Sequence, residues 1–213
     1  MKLYYNPLST YSQKAMCAFN EAGVAYDGEI VQLMDPSARA EYMKIYPMCK
    51  VPAVVADDGH MVPESSIIIE WLCDEHNAKL IPGDPTLARQ ARFKDRMFDN
   101  YLTEPVGTLF FQSMKPEDQK DQERIEKAMF HINTMYGYME QDMANKTWAM
   151  GGDFSIADCS AAPALFYLSK FVPYDDKPIV KAYADRLMAR PSYAKVLAET
   201  IPALEAFQQS MAA

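Results

Sequence analysis

The sequence predicts a chain in two parts, a mixed α/β half followed by an all-helical half. Two observations carry this: the hydrophobic period changes once along the chain, and the stretch "LIPGDPT" (80–86), with two prolines and a glycine, stands where it changes. A third is size, because 213 residues bury an ample core as one large domain or two modest ones. The expected boundaries are 1–78 for the α/β half, 79–86 for the linker and 87–213 for the helical half.

Within the first half, "KLYY" (2–5) reads as a short strand. The turn "NPLSTYSQ" (6–13) follows, crowding Ser9, Thr10, Tyr11 and Ser12 ahead of a helix. Ala15, Ala18, Phe19 and Ala22 recur at helical spacing until Gly23 stops them. "VAYDGEIVQL" (24–33) reads as a second strand and "SARAEYMKIY" (37–46) as a second helix. "VPAVVADDGHMV" (51–62) reads as a hairpin turned by Asp58-Gly59, and "SSIIIEWLCDEH" (65–76) closes the half as a helix. The order is therefore βαβ followed by ββα. Beyond the break almost everything is helical, from "LARQARFKDRMFDNYL" (87–102) to "IPALEAFQQSMA" (201–212), with no internal repeat.

Charge narrows the function classes. Twenty-nine acidic against 21 basic residues give a net charge of -8, which argues against nucleic acid and anionic membrane surfaces. The N-terminus lacks a basic-then-apolar signal pattern and no apolar run approaches a membrane span, so a cytoplasmic location is expected. Cys17, Cys49, Cys73 and Cys159 have neither metal nor redox-pair spacing, and His60, His76 and His131 are too dispersed for a metal cluster. No metal is expected.

Several short stretches have a local reading. Pro52 opens a strand, where a missing N–H is tolerated. In Glu64-Ser65-Ser66 a serine fits an N-cap, with Glu64 as a favourable charge near the helix start. "FSIAD" (154–158) fits a capping box between Ser155 and Asp158, flanked by Phe154 and Cys159 as a hydrophobic staple. Asp158 is on that reading a folding residue.

The order and spacing of "KVPAVV" (50–55), "PESSIIIEWL" (63–72), the proline-bearing linker, "GGDFSIADCSAAPAL" (151–165) and "RPSYAKVL" (190–197) resemble a cytosolic glutathione S-transferase over nearly the whole chain. The resemblance implies a thioredoxin-like βαβ-ββα domain with an all-helical C-terminal domain, a homodimer, and glutathione as co-substrate with no separate cofactor. It implies a transferase that holds the glutathione thiol as a thiolate for attack on a small hydrophobic electrophile. The alternative is a non-catalytic protein of the same fold that binds glutathione or hydrophobic ligands.

Site residues follow from the same resemblance. Pro52 is expected cis, so that the Val51 backbone pairs with the cysteinyl unit as in strand addition. Lys50 then reaches the glycine carboxylate, while Glu64 and Ser65 take the γ-glutamyl ammonium and carboxylate at a helix N-terminus. Members with serine at the first turn show a Ser-x-x-Ser pattern, which Ser9 and Ser12 fit. Ser9 is then the thiolate donor and Ser12 the cap, with the strand-end Tyr5 as runner-up. Leu8, Tyr11, Tyr101, Phe111 and Phe166 are expected to wall the electrophile pocket, and Arg89, Arg92 and Phe93 to lie in the dimer interface. Cys49 departs from the pattern, because many relatives carry glycine there.

Overall fold

The structure, a computed structural model, describes residues 1–212. By compactness the chain forms two units, Met1–Leu80 together with Pro191–Ala213, and Ile81–Arg190. The first is built on strand β1 (Lys2–Tyr5), helix α1 (Thr10–Ala22), β2 (Asp27–Ile30), α2 (Pro36–Met43), β3 (Ala53–Val55), β4 (Met61–Pro63) and α3 (Ser65–His76). The βαβ-ββα order expected from the sequence is the order observed.

The four strands form one mixed sheet in the order β2-β1-β3-β4, with β2 parallel and β3 antiparallel to β1. Central β1 buries Leu3, Tyr4 and Tyr5, whereas the four residues of β2 are all exposed at the sheet edge. That exposure explains why β2 is shorter than the sequence reading: "DGEI" has little to bury and is held by backbone pairing with β1. Helix α2 likewise ends at Met43 and not Tyr46, because Pro47 disfavours helical backbone at the residue before it. Gly23, at φ 66, closes α1 in the left-handed region, as the sequence predicts.

The second unit is helical: α4 (Pro85–Phe98), α5 (Glu104–Ser113), α6 (Gln122–Asp142), α7 (Ile156–Phe171) and α8 (Pro178–Ala189). A π-helical turn, Asp99–Thr103, joins α4 to α5. Its core is α7, whose residues from Ile156 to Leu165 are all buried. The capping box between Ser155 and Asp158 is present. Asp158 does more than cap: its carboxylate also accepts from the Ala149 N–H at 2.7 Å and the Tyr183 hydroxyl at 2.6 Å. The Glu140 carboxylate of α6 caps α8, accepting from the N–H groups of Ile179 and Val180 at 2.8 Å each.

The last helix, α9 (Pro191–Ala212), belongs to the first unit. The sequence reading places residues 191–213 with the helical half, since periodicity shows that a segment is helical but not what it packs against. Polar bonds fix the packing. The Tyr193 hydroxyl donates to the Gln13 side-chain carbonyl at 2.7 Å, the Asn20 amide to the Ser192 carbonyl at 2.9 Å, and the Thr200 hydroxyl to the Pro7 carbonyl at 3.0 Å.

Candidate functional site

Strand register gathers the predicted residues of the first unit. Tyr4 stands opposite Ala53, and Ala53 opposite Pro63. The next step outward along each strand is therefore Tyr5, Pro52 and Glu64, at one end of the strands. The turn that carries Ser9, the loop that carries Val51-Pro52 and the start of α3 at Ser65 all leave the sheet from that end.

The turn between β1 and α1 is closely braced. The Asn6 amide donates to the Val31 carbonyl at 3.0 Å, and its side-chain oxygen accepts from the Leu8 N–H at 3.0 Å. Pro7, with no N–H of its own, offers a carbonyl that accepts from the buried Gln13 amide at 2.8 Å as well as from Thr200. One expectation is corrected here. Ser9, not Ser12, is the N-cap of α1: its oxygen accepts from the Ser12 N–H at 3.3 Å. Ser12 is already inside the first turn and buried, and its oxygen accepts from the Asn6 N–H at 3.2 Å. Chain direction decides the matter, since a cap lies outside the helix and reaches forward to an N–H two or three residues on.

A hydroxyl has two acceptor positions and one proton. Ser9 spends acceptor capacity on its cap and donates to no protein group among the described residues. Tyr5 is placed differently. Its hydroxyl donates to the Glu199 carboxylate of α9 at 2.9 Å, and burial, followed by that bond, raises its pKa well above the ordinary phenol value.

The Val51-Pro52 bond is cis and both residues are buried. Lys50 beside them is exposed, and its carbonyl accepts from the buried Tyr42 hydroxyl at 2.8 Å. Cys49 adopts φ 51, a left-handed conformation that glycine takes at least cost, so the loop keeps that backbone with a side chain in place. Glu64 is exposed at φ 72 and occupies the N-cap position of α3 without a side-chain capping bond. Neither Ser65 nor Ser66 is the cap; Ser65 is buried as the first helical residue, and the Ser66 oxygen accepts from Lys14. Tyr46, which the sequence does not single out, lies close enough to Glu64 to feel it: burial first, then that negative charge, raises the phenol's pKa.

Leu8 and Tyr11 are half-buried at the turn and in the first turn of α1. In the second unit, Tyr101 is exposed on the π-helical turn with its ring edge-on to His131, centroids 5.3 Å apart. Phe111 is exposed on α5, and Phe166 is half-buried on α7 beside Tyr167. Arg89, Arg92 and Phe93 are all exposed on α4. Among the described residues no group of three or more His, Cys, Asp or Glu is arranged to hold a metal, and no helix is long and apolar enough to cross a membrane. Gln13, Lys14, Tyr46 and Glu199 are the neighbours of this site that sequence reasoning missed. Nothing in the sequence distinguishes them from solvated polar residues.

A family model described as the N-terminal domain of glutathione S-transferase matches residues 8–75, and one described as its C-terminal domain matches residues 102–191. A stringent starvation protein A homolog from Coxiella burnetii is 25% identical, covering 94% of this chain and 92% of its own length. A maleylacetoacetate isomerase from Pseudomonas aeruginosa is 24% identical, covering 91% and 93%. A glutathione S-transferase from Methylobacillus flagellatus, solved with glutathione bound, superposes with a TM-score of 0.82 at 26% identity, over 92% of this chain and 98% of that one.

Proposed function

Because the chain belongs to the glutathione S-transferase family, we propose that it binds glutathione on the first unit and holds its thiol as a thiolate for attack on a hydrophobic electrophile. The observation that supports this reading is the strand register, which sets Tyr5, Pro52 and Glu64 one step beyond the paired residues at one end of the strands, where the turn that carries Ser9 and the start of α3 also lie. A tripeptide laid across that end meets a different partner at each of its parts. The Val51 backbone takes the cysteinyl unit, and the exposed Lys50 ammonium takes the glycine carboxylate. Glu64 takes the γ-glutamyl ammonium, and the α3 N-terminus with Ser65 takes its carboxylate.

Thiolate formation is a modest demand. Bringing a thiol from a pKa of about 8.5 to about 6.5 needs roughly 2.7 kcal/mol of preference for the thiolate. A hydrogen bond to a charged group gives about 1.5–3 kcal/mol, and the N-terminus of α1 about 0.3–1 more. Ser9 is the donor in this account. The geometry favours it over Tyr5, whose proton is engaged by Glu199. Leu8 and Tyr11, half-buried on the first unit, are our candidates for the first-unit wall of the electrophile site. The chemistry is conjugation, displacement of a halide or ether, or peroxide reduction. A cytoplasmic homodimer with no bound cofactor completes the reading.

A second reading is a non-catalytic glutathione or hydrophobic-ligand binder of the same fold. The likeness to a stringent starvation protein A homolog over 94% of this chain favours it, because the chain resembles a protein named for stringent starvation as closely as it resembles an isomerase. Retention on immobilised glutathione, followed by a conjugation assay over activated halides, epoxides, aryl ethers and peroxides, separates the two. The transferase reading expects retention and turnover of at least one class. Retention with no turnover across the panel favours the binder, and no retention removes the transferase and the glutathione binder, leaving a binder of hydrophobic ligands.

A further inference from the structure

Lys14 is 1% exposed, among the largest fully buried side chains of the protein. It lies in the middle of α1, and its ammonium donates to the Ser66 hydroxyl oxygen at 2.8 Å, in the first turn of α3. Lysine is almost never fully buried unless paired, and an apolar side chain of similar length would join two packed helices at lower desolvation cost. What the lysine adds is a cation and a directed donor, and the donor reaches Ser66. Ser66 is the second residue of α3, next to Ser65 and two after Glu64. The amide groups of this helix start are turned toward whatever lies beyond it, and positive charge behind them favours an anion in front.

We propose that Lys14 is a positioning residue for the γ-glutamyl carboxylate of glutathione. It holds the Ser66 hydroxyl in one orientation and adds positive charge behind the α3 N-terminus, so that this helix start selects a carboxylate. The inference rests on the glutathione reading above and deepens it: Lys14 serves recognition of one carboxylate and takes no part in thiol activation.

The test compares two ligands by calorimetry, glutathione and γ-aminobutyryl-cysteinyl-glycine, which keeps the ammonium and lacks only that carboxylate. Wild-type protein should prefer glutathione. Lys14→Gln should reduce the preference about tenfold, the scale of one charge-assisted bond, and Lys14→Arg should retain most of it. In Lys14→Gln the loss should appear in the KM for glutathione more than in kcat, a split that a loss of packing alone would not give. Equal weakening of both ligands in Lys14→Gln would make Lys14 a packing residue and overturn the proposal. Should Lys14→Gln lose its cooperative thermal transition, Ser66→Ala carries the test: a preference reduced about threefold supports the proposal, and an unchanged one overturns it. Wild-type protein that binds neither ligand overturns the glutathione reading itself.

Discussion

Ser9 caps α1 through its oxygen and keeps its proton, so the cap leaves it able to serve as the proposed thiolate donor as well. The consequence is measurable. Ser9→Ala should lower stability by about 1 kcal/mol through loss of the cap. Ser12→Ala should lower it by about 1 kcal/mol, because it removes the acceptor of the half-buried Asn6 N–H. Denaturant midpoints for the two variants test both values. Glu64 invites a separate measurement. Its left-handed backbone, at φ 72, turns the chain into α3 while its side chain makes no capping bond. Such conformations persist where the surroundings over-determine them, often at ligand clamps. If its carboxylate pairs with the γ-glutamyl ammonium, Glu64→Gln weakens glutathione binding by about 1.5–3 kcal/mol. An unchanged dissociation constant in calorimetry would leave Glu64 as a helix-end charge.

Helix α9 shows how a distant segment shapes the turn. Gln13 is fully buried; its amide donates to the Pro7 carbonyl and its oxygen accepts from Tyr193, while Thr200 reaches the same carbonyl. The backbone just ahead of Ser9 is thereby held from two sides, one of them 193 residues away in sequence. Tyr193→Phe removes the hydroxyl that donates to the buried Gln13 oxygen and should cost about 1 kcal/mol, read as a shift in denaturant midpoint. No shift would mean that Gln13 finds another donor. The strand and helix order was legible because period-2 and period-3.6 patterns alternate clearly up to the proline-rich break. The hairpin was legible for a local reason, since Asp58-Gly59 is a turn signal in its own right. The partner of α9 was not, because an amphipathic stripe records that a face is buried without recording against what. Gln13 and Lys14 escaped for a related reason, since a buried polar residue and a solvated one carry the same letter; Glu199 escaped because its bond to Tyr5 spans 194 residues of sequence.

Two claims concern the molecule entire. The family implies a homodimer, and Phe93, 59% exposed on α4 beside Arg89 and Arg92, is the apolar side chain proposed to be covered in it. Sedimentation at micromolar concentration should give twice the monomer mass, and Phe93→Asp should shift it toward the monomer. A wild-type monomer would remove the claim. The larger claim is that the fold exists to hold a glutathione thiolate at Ser9. The family resemblance groups Ser9 with Glu64-Ser65, and the strand register sets the ends of β1 and β4, which lead to those segments, at the same end of the sheet. Register itself was beyond the sequence, because "KLYY" and "AVV" pair in several ways until the chain is folded. Thiolate absorbance of the protein–glutathione complex, followed against pH for wild type, Ser9→Ala, Ser12→Ala and Tyr5→Phe, tests the claim most directly. The account predicts that Ser9→Ala raises the bound thiol's pKa by about one to two units, equivalent to one charged hydrogen bond, with the Ser12→Ala and Tyr5→Phe curves nearly in place. A curve that moves in Tyr5→Phe and stays put in Ser9→Ala would contradict it and give the thiolate to the strand-end tyrosine.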